Sequence, residues 1–457
     1  MINLWPFLIG SAFSTPIEDP VSPPSESISE NESFPKPSIN FEAYQLDNGL
    51  EVILSEDHSV PVVQVNIWYD VGSKDEVAGK TGFAHLFEHL MFQGSLHHDM
   101  DYFMPLQTIG ARVNGTTSFD RTNYYEGVSS EYLPLALWLE SDRMGWLLEA
   151  LTEEKIQNQK DVVRNERRQR YEVPPYGEVR IWLYENLYPE GHPYHVTTIG
   201  KHEDLEAATM QDVVDFFNKW YVPNNATLTI CGDFDPEEAK GLVKDYFGEI
   251  PRGEDVESIT TANHQLDEGI LIRKEKEVPE DKVWLAWITP ALYAEGDADL
   301  DILSTLLVDG NDSLLIKELV FEQQIAKSVS AYQASSRLQS EYIIEATVAE
   351  GHTTDELVTA IDSILSSLKE SGANAEHVKI AKSNWEANFY DGLLSISTKA
   401  NMLSSYNTYT GNPGFMEKDL QRYLDVTPES VDATLNQYLH DNRVELHVNS
   451  PKTDSEE

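Results

Sequence analysis

The sequence predicts an α+β protein made of two homologous domains, and three observations carry that reading. Residues 44–54 alternate apolar and polar positions around Asn48 and Gly49, residues 82–92 carry helical spacing, and one fixed offset aligns two long stretches of the chain on each other. With 457 residues and 40% hydrophobic content, the chain can bury more than one core.

Taken in order, residues 1–14 hold a short apolar block at residues 4–10, followed by the small residues Ala12 and Ser14. This resembles an export signal that lacks a basic leading segment, and it points to a periplasmic or cell-envelope protein of a bacterium, with a cytoplasmic location as the alternative. Neither this block nor any other run reaches the length of a membrane span, so no stable membrane insertion is expected. Residues 15–40 are rich in Pro, Ser and Glu with little to bury, which predicts a flexible acidic linker. The fold then opens with a β-hairpin over residues 44–54, since Asn48-Gly49 suits a tight primed turn. Residues 62–69 read as a third strand and residues 82–92 as a helix. The polar residues 451–457 predict a disordered tail.

The repeat is the most informative feature. Thr209, Val213, Phe217, Asn218, Trp220, Asn224, Leu228 and Ile230 fall on Thr427, Val431, Leu435, Asn436, Tyr438, Asn442, Leu446 and Val448, an offset of 427 − 209 = 218. The same shift sets Val65, Ile67 and Tyr69 on Val283, Leu285 and Trp287. One offset serving both ends of a unit argues for duplication, with domains at residues 41–255 and 256–450 and a polar join near residues 251–255.

Composition narrows the function. Lys and Arg number 33 against 78 Asp and Glu, so the net charge is 33 − 78 = −45. Such a surface repels phosphate backbones and anionic lipid, which argues against nucleic acid as a partner and reads first as a solubilising face. The single Cys231 leaves no internal disulfide framework and no thiolate cluster, so a metal site must draw on His, Asp or Glu.

His85, Glu88 and His89 interrupt an otherwise apolar helix at i, i+3 and i+4 and share one face. Two imidazoles one turn apart can hold one zinc ion, and a carboxylate between them can deprotonate a water at that ion. The plain alternative is a pair of hydrogen-bonded histidines on an ordinary helix. Burying three ionisable groups beside Leu86, Phe87, Leu90 and Phe92 is costly unless a cation or partners compensate them. A third ligand would be another His or a carboxylate, and many acids qualify. Glu166, set in a basic helical segment, reads on its own as half of a surface ion pair.

H-x-x-E-H is the inverted zinc motif of the inverzincins, and the chain resembles pitrilysin-type zinc metallopeptidases, most of all the bacterial members similar to the mitochondrial processing peptidase. The likeness extends over residues 114–125, His192-Pro193-Tyr194, residues 220–226 and Gly232-Asp233, then more weakly through the second domain. It implies a half-clamshell in which each domain is a mixed or antiparallel sheet packed with helices. It also implies one Zn2+ per chain, bound by His85, His89 and Glu166, since the family's spacing of about 76 intervening residues matches 166 − 89 − 1 = 76 here. By the same resemblance Glu88 is the general base, residues 41–255 are the catalytic domain, and Asn114, Gly115, Thr116 and Thr117 lie on an edge strand that binds extended peptide by adding it to the sheet.

The chain departs from the family's pattern in two places. Gln159 stands where a supporting glutamate is usual, seven residues before Glu166. Where many members carry a substrate-binding Arg and Tyr, this chain has Leu314 and Lys327. The 218 shift also carries His85, Glu88 and His89 onto Leu303, Leu306 and Leu307, so the second domain is expected to be non-catalytic. A homologous non-catalytic partner chain is therefore expected to complete the site, with a homodimer as the simpler alternative. Two functions compete: a zinc endopeptidase acting on extended peptides, or a silent subunit that binds peptide or assembles a two-chain peptidase. A cation-buffering acidic surface is a third. For an endopeptidase, the net charge predicts faster capture of basic peptides, eroded by salt.

Overall fold

The computed structural model describes residues 38–257, 259 and 264–451. The expected signal segment, the linker up to residue 37 and the tail beyond residue 451 lie outside the described residues.

Among the described residues, eleven strands form two sheets. The first holds β1 (Glu42–Gln45), β2 (Glu51–Glu56), β3 (Val62–Tyr69), β4 (Arg112–Thr117), β5 (Thr122–Ser129) and β6 (Ala226–Gly232), in the order β1-β2-β6-β3-β5-β4. The second holds β7 (Ile270–Glu275), β8 (Lys282–Thr289), β9 (Ala326–Ala334), β10 (Ser340–Val348) and β11 (Val444–Asn449), in the order β7-β11-β8-β10-β9. Without β1, the two orders are the same pattern. In each sheet one parallel pair, β2 with β6 and β7 with β11, adjoins antiparallel ladders. Both sheets are therefore mixed, as the sequence predicts, and β4 and β9 are edges.

The hairpin forms where expected but turns differently. Pairing stops at Gln45 opposite Glu51, and Gly49 N–H donates to Leu46 O at 2.9 Å. Asn48 thus sits inside a four-residue turn, and only Gly49 (φ +93°) takes the left-handed conformation. The Asn48 side chain is engaged elsewhere, donating to Phe247 O and Ile250 O at 2.8 and 2.9 Å. Residues 251–257 carry neither helix nor strand.

The helices that matter here are α1 (Phe83–Leu90), α2 (Glu153–Arg167), α3 (Val179–Leu187), α4 (Met210–Trp220), α5 (Asp297–Val308), α6 (Thr354–Ser371), α7 (Ile396–Thr410) and α8 (Pro428–Tyr438). α4 and α8 are related by the 218 shift at both ends. Thr209 and Thr427 cap them in the same way, accepting the N–H of Asp212 and Ser430. The shift also keeps Val65, Ile67 and Tyr69 on the same face as Val283, Leu285 and Trp287, each set within its own core.

It fails at the last strand. Leu228 and Ile230 lie in the first core, but Leu446 and Val448 pair across from Trp284 and Lys282 and belong to the cluster around α3. On β11 the second core is instead faced by Glu445 and His447, opposite Leu285 and Val283. Side chains alternate along a strand, so a one-residue difference in the lead-in turns the whole strand over.

The outer faces of the sheets are covered reciprocally. α3, from the first half, packs Val179, Leu183 and Leu187 on Trp284, Ala286, Val444 and Leu446 of the second sheet. α7, from the second half, lies on the first sheet, with Ser404 Oγ 2.9 Å from Thr229 Oγ1 and Tyr409 edge-on to Trp68. The shift carries α3 to residues 397–405, inside α7. A latch adds to this exchange: Arg337 Nη1 donates to Asp70 at 2.7 Å and its backbone N–H to Asp120 at 2.9 Å.

Candidate metal centre

α1 begins abruptly at Gly82 (φ +84°), where a Cβ would come within 2.9 Å of Ile199 O, so the chain needs glycine there. The carboxylate of Glu76 accepts the N–H groups of Gly82 and Ala84 at 2.9 and 2.8 Å, satisfying donors the helix leaves open. Leu86, Phe87 and Leu90 sink into the first core, with Phe83 buried against Phe216, and hold the opposite face of α1 outward. That face carries His85, Glu88 and His89.

The second contributor is α2, capped by Thr152. Its last turn brings Glu166 Oε2 within 3.2 Å of His89 Nε2 and 3.8 Å of His85 Nε2. The three ligand atoms lie within 4.8 Å of one another. Ligands about 2.0–2.1 Å from a tetrahedral zinc ion stand roughly 3.4 Å apart, so this donor set fits zinc in spacing and in chemistry. Among the described residues, one other cluster of this kind occurs: Asp355, Glu445 and His447, where α6 meets β11. Arg273 and Arg443 already pair with its carboxylates.

Electrostatics agree with the donor roles. Burial, reinforced by His89, pushes His85 down to about 4, so its imidazole is neutral and offers a lone pair at neutral pH. Burial pushes Glu166 up, but the His89 hydrogen bond and the charge of Arg170 outweigh it and hold the carboxylate below its usual range. Arg170, one turn on, meets Glu166 Oε1 at 2.6 Å. Burial also raises Glu88, against the Thr117 hydroxyl, which donates to Glu88 Oε2 at 2.6 Å. A carboxylate raised in this way is a better proton acceptor.

β4 closes the other side. Asn114, Gly115, Thr116 and Thr117 line a cavity of about 520 Å³ together with both histidines, Glu88 and Glu166. Ser118 N–H bonds Arg121 O at 2.9 Å at the hairpin end. Counting back along an antiparallel ladder from that bond leaves the backbone groups of Thr117 and Gly115 facing away from β5, open to another strand. Arg121 steadies this edge, donating to Thr116 O at 2.9 Å and resting on the Trp68 ring.

The structure thus brings together every site residue the sequence singled out. Gln159 is buried and lines the same cavity. The expected substrate-binding positions are not equivalent to an Arg and a Tyr: Leu314 packs on the second core and Lys327 is tied to Glu280 at 2.6 Å. On α5, Leu303, Leu306 and Leu307 are buried as core. Thr117, as the partner of Glu88, was legible only as a strand residue. No helix among the described residues is long and apolar enough to cross a membrane.

Two family models match the chain. The one described as "Insulinase (Peptidase family M16)" covers residues 51–186, and "Peptidase M16 inactive domain" covers residues 207–384. The "Zinc protease PqqE" of Helicobacter pylori is 28% identical over 409 residues, which are 88% of this chain and 90% of that protein. The crystal structure of a protease from Helicobacter pylori superposes with a TM-score of 0.82 at 27% identity, covering 90% of this chain and 100% of that one. Pitrilysin matches in fold, with a TM-score of 0.75 at 20% identity, over 92% of this chain but 46% of its own.

Proposed function

The chain belongs to the M16 peptidase family, and from that membership we propose that it is a zinc-dependent endopeptidase acting on extended peptides or small unfolded polypeptides. The observation that carries this reading is the convergence of His85, His89 and Glu166 within metal-binding distance beside a raised, hydrogen-bonded Glu88.

In this reading His85, His89 and Glu166 hold one Zn2+. The bound ion supplies Lewis acidity, lowering the pKa of water and polarising a peptide carbonyl. Glu88 takes the proton of the attacking water and returns it to the leaving amine. The Thr117 hydroxyl keeps that carboxylate aimed into the cavity, and the open backbone groups of Gly115 and Thr117 pair with the substrate as an added strand. Residues 41–255 form the catalytic domain and residues 256–450 its non-catalytic homologue, a division supported by the buried Leu303, Leu306 and Leu307 at the positions that the 218 shift relates to the motif.

Zinc content and peptide cleavage of the native chain and of Glu88→Gln test the proposal. Both proteins should carry one zinc ion, and turnover should fall by about 10²–10⁴-fold in the variant. Activity retained by Glu88→Gln would remove Glu88 from the mechanism, and a native chain without stoichiometric zinc would favour a silent subunit.

The fold fills about half of pitrilysin, and Leu314 and Lys327 offer no Arg-Tyr pair. Both observations support a second chain, a homologous non-catalytic partner or another copy, closing over the peptide. Ordinary efficiency from a strictly monomeric chain would overturn that part. An exported location rests on residues 4–10 alone.

A further inference from the structure

The metal-centre cavity adjoins a second one of about 510 Å³, and Arg170 and Tyr171 line both. Both residues sit on the wide turn of residues Arg168–Glu172 that prolongs α2, where Val173 N–H reaches back five residues to Arg168 O. One wall of the second cavity is α3 and the other is the second sheet. Its charge is opposite to that of the chain. Arg170, Arg180 and Lys282 face it against one carboxylate, Glu345, which Lys282 already holds at 2.7 Å.

Arg180 is the cation left over. Arg170 is committed to Glu166 and Lys282 to Glu345, but among the described residues no carboxylate stands within ion-pair distance of Arg180. Its surroundings are the phenols of Tyr171, Tyr184 and Tyr332. The buried Glu341 carboxylate, also near, accepts hydroxyls from Tyr184 and Tyr188 instead. Arg180 also lies in the first turn of α3, whose N-terminal end, with Gly177 and Val179, lines the cavity and favours negative charge. The floor is apolar, with Leu183, Trp284 and Ile343. The cation, the Tyr171 and Tyr332 phenols and an apolar floor together suit a carboxylate on a short carbon stem.

We propose that this cavity is a specificity subsite that takes a carboxylate of the peptide undergoing cleavage, with Arg180 as its specificity-determining residue. The proposal rests on the endopeptidase reading. The carboxylate comes either from an acidic side chain a few residues from the scissile bond or from the peptide's C-terminus. The chain's charge of −45 does not oppose this, because charges beyond about 8 Å are largely screened at physiological salt, and the local cations set the sign.

The test uses the zinc-loaded full chain and a peptide set with Glu, Gln or Lys at each position around the scissile bond, made as free acids and as C-terminal amides. A side-chain source gives a Glu-over-Gln preference of about 5- to 20-fold in kcat/KM at one position, carried by KM; a terminal source gives the same preference for acid over amide. Arg180→Gln should bring the ratio near 1, and Arg180→Glu should turn it in favour of Lys. Cleavage with no such preference, or a preference that survives both substitutions, overturns the subsite and leaves the peptidase standing. If the native chain cleaves none of the peptides, the peptidase reading fails instead. Fluorescence-anisotropy binding of the same labelled peptides then decides the cavity: a Glu or free-acid advantage lost in Arg180→Gln supports it, and equal binding overturns it.

Discussion

A Cβ on Gly115 would lie 3.0 Å from Glu88 Cγ, tighter than an ordinary carbon contact, so a methyl group on the edge strand requires the acid of the H-x-x-E-H motif or its neighbours to shift by a few tenths of an ångström. Phe92 and Tyr124 close in at 3.1 Å each, and Glu88 and Phe92 line the metal-centre cavity, so a shift of either reaches the site. Gly115→Ala is therefore expected to displace Glu88, cutting kcat by about 10- to 100-fold while zinc stays bound, because a small misplacement of a catalytic group costs rate more than folding. Metal analysis beside steady-state kinetics checks it.

Thr117→Val removes the hydroxyl that holds Glu88 Oε2 and keeps the side-chain shape. The expected result is a fall of about 10-fold in kcat with KM little changed, since one orienting hydrogen bond is lost and the strand's backbone is not. Thr117→Ser should recover most of the activity. A loss that appears in KM alone would assign Thr117 to peptide binding.

Glu166→Gln keeps the size of the third ligand but removes the anionic oxygen that faces both histidines. Zinc affinity should drop by at least about 10-fold, measured by competition with a chromophoric chelator, because neutral amides are poor zinc ligands. Gln159→Glu, inside the same cavity, adds an anion and should shift affinity the other way.

Burial pushes the carboxyl of Glu341, under α3, up to about 8, with the Tyr188 and Tyr184 hydroxyls opposing the rise. A carboxyl raised in the folded state favours the protonated form, so its contribution is fully present below pH 4.5 and is lost as pH rises towards 8. Glu341→Gln should flatten the fall in Tm between pH 5 and pH 8. An unchanged slope would assign the pH dependence to other groups.

The reciprocal placement of α3 and α7 predicts that neither half folds alone. A fragment of residues 38–255 would expose Val179, Leu183, Leu187 and the outer face of the first sheet. It should lack a cooperative thermal transition, and mixing it with a fragment of residues 256–451 should restore one. A cooperative transition in the isolated fragment would show that the exchange contributes little.

Glu166 was reachable only through the family resemblance, but the sequence by itself determined the motif helix with His85, Glu88 and His89 on one face, the strand at residues 62–69 and the repeat that pairs α4 with α8. All of these rest on local periodicity or on residue types at fixed spacing, which the backbone converts directly into shared faces. The four-residue turn ending at Gly49, the reversal of β11 and the exchange of α3 with α7 were decided only in the folded chain. A one-residue change of register or a helix packed on a distant sheet leaves no local trace, and its energy comes from contacts between residues far apart in sequence. The contact of Gly115 with Glu88 and the cations gathered around Arg180 belong to the same class. Net charge could not foretell a basic cavity beside the candidate metal centre, because it sums over a surface while a site responds to the few charges within a screening length.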